Sequence, residues 1–358
     1  MLIRRLAPDT LRPSAAMTED LRGHPVVELI RRRRAEGSRP GERRDGRRVA
    51  LVIEGGGMRG VASAGMTAAL EQLELRDSFD EVHGASAGAF NAAFLLANQA
   101  AYLTALYQHG FGDPRFVSLL RALRGGPAFD MDYVINDIWT RQRPLRFDTI
   151  VSSSITLHCT ATDADRAEVV DLTDLRDAEE IRLALRASAR LPWLAGPPLW
   201  FRGRRLLDAT LAEAIPVHAA LTGTADVLVL QTRPQGVPHA PLSALVARLT
   251  DRYLQDINPA LVALRRTRSR RYDELSASLA ARARDPNSRP SICIIRPPTG
   301  SLLIGQLEHR TSWLQRAASE GLRAAWMAVE GEDPELLSTL RAYPRRPAVT
   351  APAAVING

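Results

Sequence analysis

From residue 49 onward, apolar residues fall into short blocks that switch between two periods. "RVALVIE", "FDEVHG", "SITLHCTATDA", "RRLLDA", "DVLVLQTRP" and "SICIIRPP" are brief runs rich in branched residues and bounded by glycine, proline or charge, which reads as buried strands. Between them, "VASAGMTAALEQLEL", "SAGAFNAAFLLANQA", "DAEEIRLALRASAR" and "VHAALTG" carry helical spacing. The small residues early in the first of these predict a helix that packs closely on a sheet. Alternation of this kind predicts an α/β fold with a mostly parallel sheet covered on both faces.

Outside that rhythm the pattern changes. Residues 1–48 are rich in Arg, Pro and Gly and read as an N-terminal arm. Within it "HPVVELIRRRRAEG" has a short helical pattern, and the arginine run is expected to be a solvated extension or, less readily, a contact for anionic lipid. Residues 49–240 form the expected core. Residues 241–340 add a helical excursion ("PLSALVARLTDRYLQDI", "PALVALRRTRSRRYDELSASLAARA") and then the last strand and helix of the same domain. Residues 341–358, rich in Pro and Ala, are expected to be a disordered tail.

Composition changes this picture little. The 358 residues are 45% hydrophobic and 24% charged, ordinary for a globular protein with a sizeable core. The net charge is +7, but the chain has no lysine, so all 47 basic residues are arginine. The charge is therefore a weak pointer to an anionic membrane surface, and nucleic acid is not expected as a partner. Cys159 and Cys293 lie far apart inside apolar runs, as free thiols in a reducing compartment do. No apolar h-region follows the N-terminus, and no segment reaches the roughly 18–20 apolar residues of a membrane span. A cytoplasmic location, with peripheral membrane contact at most, is expected.

The candidate chemistry lies in two glycine turns. "LVIEGGGMRG" runs a strand into Gly55, Gly56, Gly57, Met58, Arg59 and Gly60. This fits the dinucleotide pattern G-x-G-x-x-G, and it equally fits a loop that holds an oxyanion. "GASAG" follows, with Ser86 flanked by Gly84 and Gly88 between a strand and a helix. That is the context of a nucleophile elbow. The gap between the two turns holds one helix and one strand, a right-handed βαβ unit that brings both turns to the same sheet edge. Dinucleotide binding expects an acidic residue at the end of the second strand, but here that strand ends in His83 and a serine turn.

A serine needs a base. None of the seven histidines (His24, His83, His109, His158, His218, His239, His309) stands in a recognisable catalytic setting, although His309 has a suitable chain position. Asp208, at the end of the "RRLLDA" strand, is the alternative, because strand-end carboxylates of a parallel sheet share the face on which Ser86 emerges.

"EGGGMRG", "GASAG" and "LDATLAEAIPV", in that order, together with "ASARLPWLAGPP" and "VLVLQTRP", resemble the patatin-like phospholipase family over roughly residues 49–235. The resemblance implies a three-layer α/β/α fold and a Ser–Asp dyad without a catalytic histidine. It assigns Ser86 as nucleophile, Asp208 as general base, and Gly55, Gly56, Gly57 and Met58 as the oxyanion loop, oriented by Arg59. Ala209 departs from the family's usual glycine. If that position needs positive φ, alanine costs about 1 kcal/mol or more, or shifts the loop.

The expected activity is hydrolysis of a lipid or fatty-acyl ester through an acyl-enzyme, with no metal or cofactor. An acyltransferase with the same dyad, a catalytically silent lipid-binding protein and a dinucleotide-dependent enzyme are the alternatives. Trp193, Trp200 and Phe201, just before Asp208, are candidates for an apolar rim around an acyl chain, or for ordinary core.

Overall fold

The computed structural model describes residues 20–332, apart from 110–114, 117, 119–120, 122–125, 143, 224, 235–236 and 238–243. Residues 1–19 and 333–358, and with them the expected tail, lie outside the described residues.

Strands β1 (Val49–Ile53), β2 (Glu81–Ala85) and β3 (Thr156–Asp163) are joined in parallel through helices α2 (Gly60–Gln72), α3 (Ala87–Leu96), α4 (Ala100–His109) and the short α5 (Phe147–Val151). A π-type helical stretch, Tyr133–Gln142, precedes α5. Then follow β4 (Glu168–Leu172), α6 (Ala178–Ser188), β5 (Leu199–Phe201), β6 (Arg204–Leu207), α7 (His218–Thr222), β7 (Asp226–Leu230), α8 (Ala244–Ile257), α9 (Pro259–Arg284), β8 (Ile292–Ile295) and α10 (Thr311–Glu330). The sheet order is β5-β6-β3-β2-β1-β7-β8, with β4 paired to β3. β3, β2, β1, β7 and β8 are mutually parallel, while β4, β5 and β6 add an antiparallel side.

β1 shows why the sheet is covered on both faces. All five residues are buried, with Val49, Leu51 and Ile53 in one apolar cluster and Ala50 and Val52 in another. A strand whose alternate side chains both need burial must have a layer on each side. α2, α3, α4 and α10 supply one layer; α7 and α9 contribute to the other. The fold is thus α/β, with a mixed and mostly parallel sheet, as the alternation predicts. The sequence pattern did not reveal β4 and β5, both of which have solvent-facing residues and little apolar periodicity.

The small residues of α2 are buried, but two of them serve a helix rather than the sheet. A Cβ on Gly65 would stand 2.0 Å from the Ala318 carbonyl oxygen, and one on Gly321 would stand 2.0 Å from that of Ala62. α2 and α10 therefore touch backbone to backbone, each through a glycine of its own.

The expected 1–48 arm needs correction over its second half. α1 (Pro25–Ala35) buries Val26, Val27, Leu29 and Ile30 in the main core. The arginine run is not a solvated extension, because Arg33 is fully buried. Its Nε and Nη2 donate to Asp45 at 2.7 and 2.9 Å, and its Nη1 donates to Asp80 at 2.9 Å and to the Ser78 carbonyl at 2.8 Å. Arg34 pairs with Glu330 of α10. A charge run reads as solvated only until its acidic partners, distant in sequence, are placed against it.

Candidate active site

β1 and β2 are parallel neighbours, with Ile53 opposite Gly84. The glycine loop after β1 and the turn after β2 therefore emerge side by side. Ser86 sits at φ 52, ψ −119, immediately before α3. A serine in that backbone conformation carries strain on the order of 1–3 kcal/mol, a pattern that gathers at functional turns. The turn closes because Gly84, near the end of β2, lets α3 fold back over it, where a Cβ would stand 2.4 Å from the Ala89 α-carbon, and because Gly88 lets α3 cross β1, where a Cβ would stand 2.2 Å from the Ile53 carbonyl oxygen. The Ser86 N–H donates to the Ser188 hydroxyl at the end of α6 (2.8 Å), a tether between residues 102 positions apart that no local pattern signals.

Asp208 follows β6, on the antiparallel side of the sheet, and is completely buried. The Ser86 hydroxyl donates to Asp208 Oδ2 at 2.8 Å. The other carboxylate oxygen accepts from Thr210 twice, from its N–H at 2.8 Å and its hydroxyl at 2.6 Å. The main chain is fixed as well, since the Asp208 N–H donates to the Arg190 carbonyl and the Thr162 hydroxyl donates to the Asp208 carbonyl. Burial raises the Asp208 pKa above the usual carboxylate value, while the hydrogen bonds from Thr210 and Ser86 pull against that shift. Thr210 was not singled out from the sequence; an Asp-x-Thr pair that caps its own turn is the local signal that was there to find.

The strain expected at Ala209 is absent. Ala209 opens a 3-10 turn (Ala209–Leu211), with Asp208 as its N-cap, and it does not lie in the left-handed region. Alanine is accommodated at no backbone cost.

The glycine loop is more selective than its sequence suggests. Gly55 N–H donates to the Ala214 carbonyl at 2.9 Å and Met58 N–H to the Gln306 carbonyl at 3.1 Å. Among the described residues no acceptor takes the N–H of Gly56 or Gly57. Two of the four expected donors are thus committed to the protein and two remain available. Gly57 adopts φ +59 with its α-carbon pressed on the Gln306 carbonyl, so a side chain there is disfavoured twice. Arg59 is buried, its guanidinium lying along Gly56. Burial, and secondly the neighbouring Arg233, bring its pKa down to about 10.

Among the described side chains no histidine reaches this pair. His24 caps α1, His218 is exposed beside Glu213, and His309 is exposed. His109 and His239 lie outside the described side chains. His83 is buried, and Glu81, His83 and His158 come close enough to share an ion. However, the two imidazoles are stacked at 4.0 Å and nearly parallel. A nitrogen lone pair lies in its ring plane, so stacked rings do not converge on one metal. His158 instead pairs with Asp171 at 2.7 Å. Cys159 and Cys293 are buried and free. Of the aromatic rim, Trp200 is 65% exposed, Phe201 is core, and Trp193 donates to the Thr250 hydroxyl of α8 at 2.9 Å. No described helix is long and apolar enough to cross a membrane.

Residues 51–221 match the family model "Patatin-like phospholipase", and over this segment the chain is similar to that family. An uncharacterized protein of Escherichia coli (strain K12), YjjU, is 30% identical over 199 residues, 54% of this chain and 54% of its own. The chain thus spans about half the length of this curated relative. Among solved structures, VipD from Legionella pneumophila is similar at 11% identity and a TM-score of 0.38, over 80% of this chain and 67% of its own. ExoU, solved in complex with SpcU from the type III secretion system of Pseudomonas aeruginosa, is similar at 14% identity and a TM-score of 0.27, over 84% and 73%.

Proposed function

We propose that the protein is a serine acyl hydrolase of lipid esters that works through a Ser86–Asp208 dyad. The observation that carries this reading is the 2.8 Å hydrogen bond from the Ser86 hydroxyl to a buried carboxylate, beside two unused glycine amides. As the Ser86 oxygen attacks the ester carbonyl, Asp208 Oδ2 takes its proton. The negative charge that develops on the carbonyl oxygen is received by the Gly56 and Gly57 N–H groups, with the dipole of α3 behind the serine. Collapse of the tetrahedral species expels the alcohol, which takes the proton from Asp208 and leaves an acyl-serine. Water then attacks the acyl carbon as Asp208 accepts its proton. The fatty acid departs and the proton returns to the Ser86 oxygen. The raised Asp208 pKa suits a carboxylate that must both accept and return a proton.

The test is a fluorophosphonate probe together with nitrophenyl esters of short and long chain, applied to the full chain and to Ser86→Ala. Labelling at residue 86 and turnover in the parent, both lost in the variant, are expected. A folded parent that neither labels nor turns over any ester would overturn the reading.

A further inference from the structure

One short segment holds both Asp208 and the glycine loop. Residues 208–214 run from the carboxylate through Thr210, which donates to Asp208 Oδ1, to the Ala214 carbonyl, which accepts from the Gly55 N–H at 2.9 Å. Between these contacts the chain makes a single 3-10 turn (Ala209–Leu211), and a turn this short leaves its last carbonyls without partners of its own. Leu211 and Ala212 are both buried, so their carbonyls need a donor from elsewhere in the fold.

Helix α9 supplies that donor. Arg271 Nη2 donates to the Leu211 carbonyl at 2.6 Å, and its Nη1 donates to that of Ala212. Nη2 also donates to the Leu264 carbonyl of α9 at 2.9 Å, and Nε donates to the Thr267 hydroxyl at 3.3 Å, which fixes the guanidinium on its own helix. Among the described residues no other group donates to either turn carbonyl, and Arg271 makes no ion pair. A cation that spends its fork on carbonyls forms charge-assisted hydrogen bonds, and losing them would leave two buried acceptors unsatisfied. Apolar packing backs the same contact. Leu207 and Leu211, on either side of Asp208 in the chain, cluster with Leu254 of α8 and with Leu261 and Val262 of α9.

We propose that Arg271 is a positioning residue for the reaction, pinning residues 211–212 so that Thr210 presents Asp208 to Ser86 and Ala214 keeps the glycine loop in place. It touches neither substrate nor the reacting atoms and acts on the base through Thr210. The proposal rests on the Ser86–Asp208 reading above. It gives the α8–α9 excursion, which lies beyond the matched segment 51–221, a part in that site.

The full chain, Arg271→Met, Thr210→Val and the double variant are compared on a nitrophenyl ester across pH, each shown to be folded by circular dichroism. A displaced base loses rate rather than affinity. Arg271→Met should therefore lower kcat by about tenfold or more, with KM within about twofold of the parent, and move the pH–rate inflection upward. In the Thr210→Val background the same substitution should cost less than about threefold and leave the inflection in place, because the route through Thr210 is already cut. A folded Arg271→Met with parent-like kcat overturns the proposal. So does an equal loss in both backgrounds, which is what removal of a nearby charge alone would give. If Arg271→Met does not fold, Arg271→Gln is read by the same criteria, alone and with Thr210→Val.

A carboxyl titration gives a readout independent of turnover. The Asp208 carboxyl is followed by NMR in protein labelled at its aspartate carboxyl carbons, and is assigned by its loss in Asp208→Asn. Its pKa should be higher in Arg271→Met than in the parent, with no further rise when Arg271→Met is added to Thr210→Val. Arg268, the charged group of α9 that acts on Asp208, is present throughout. That outcome supports the positioning role even where the parent hydrolyses no ester, in which case the acyl-hydrolase reading alone has failed. An Asp208 titration unchanged by Arg271→Met overturns the proposal.

Discussion

Ser86 and Asp208 lie 122 positions apart in the chain, yet the serine hydroxyl donates to the aspartate at 2.8 Å with both residues buried. Nothing local joins them. Ser86 is carried by β2, inside the parallel part of the sheet, and Asp208 by β6, which reaches β3 antiparallel with Leu207 opposite Thr162. The contact exists because β3 has β2 on one side and β6 on the other.

If Asp208 is the base, Asp208→Asn should reduce ester turnover by about a thousandfold or more while leaving the elbow intact. The same substitution removes a carboxylate whose ionisation burial opposes. Thermal stability near pH 7 is therefore expected to hold or rise, which a melting curve checks alongside the kinetics. A variant that loses turnover only because it unfolds would fail this prediction.

The pH dependence has a definite sign. A folded-state pKa above that of the unfolded chain means that the folded protein holds the Asp208 proton more tightly. The stability Asp208 contributes is complete below its unfolded value and declines as pH rises through the folded one. Activity runs the other way, since the base must be ionised, so kcat/KM should rise with pH through an inflection above the ordinary aspartate range of about 3.9. Thr210 lowers that pKa through its hydrogen bonds. Thr210→Val should move the inflection upward and cost about tenfold in rate at low pH, and a pH–rate profile of both proteins separates this from a general loss.

The reciprocal glycines between α2 and α10 predict a coupled stability effect. Gly65→Ala and Gly321→Ala each push a methyl group onto the opposing backbone at 2.0 Å, and each should cost about 2–3 kcal/mol in urea unfolding. Once one substitution has forced the helices apart, the second is cheaper. The double variant should fall short of the sum by about 0.5 kcal/mol or more.

Arg33 predicts a stability effect remote from the site. Arg33→Met leaves Asp45 and Asp80 without their buried partner and should cost about 3 kcal/mol, read from the urea midpoint at constant slope. A cost below about 0.5 kcal/mol would place the arginine run back among solvated extensions.

The sequence by itself determined the layered α/β architecture, because short branched runs that are apolar at every position require cover on both faces. It also marked both glycine turns, because their constraints are local: a backbone that must cross another strand or turn sharply admits only small residues at Gly84, Gly88 and Gly57. Asp208 was legible as a strand-end carboxylate, and the absence of strain at Ala209 was not, because backbone angles are settled by the turn that the neighbours build. Tertiary structure alone decided which loop amides stay open, since the Ala214 and Gln306 carbonyls that occupy Gly55 and Met58 arrive from distant segments. It decided the fate of the charges for the same reason. An arginine is read as solvated until acids far along the chain are placed against it, as at Arg33.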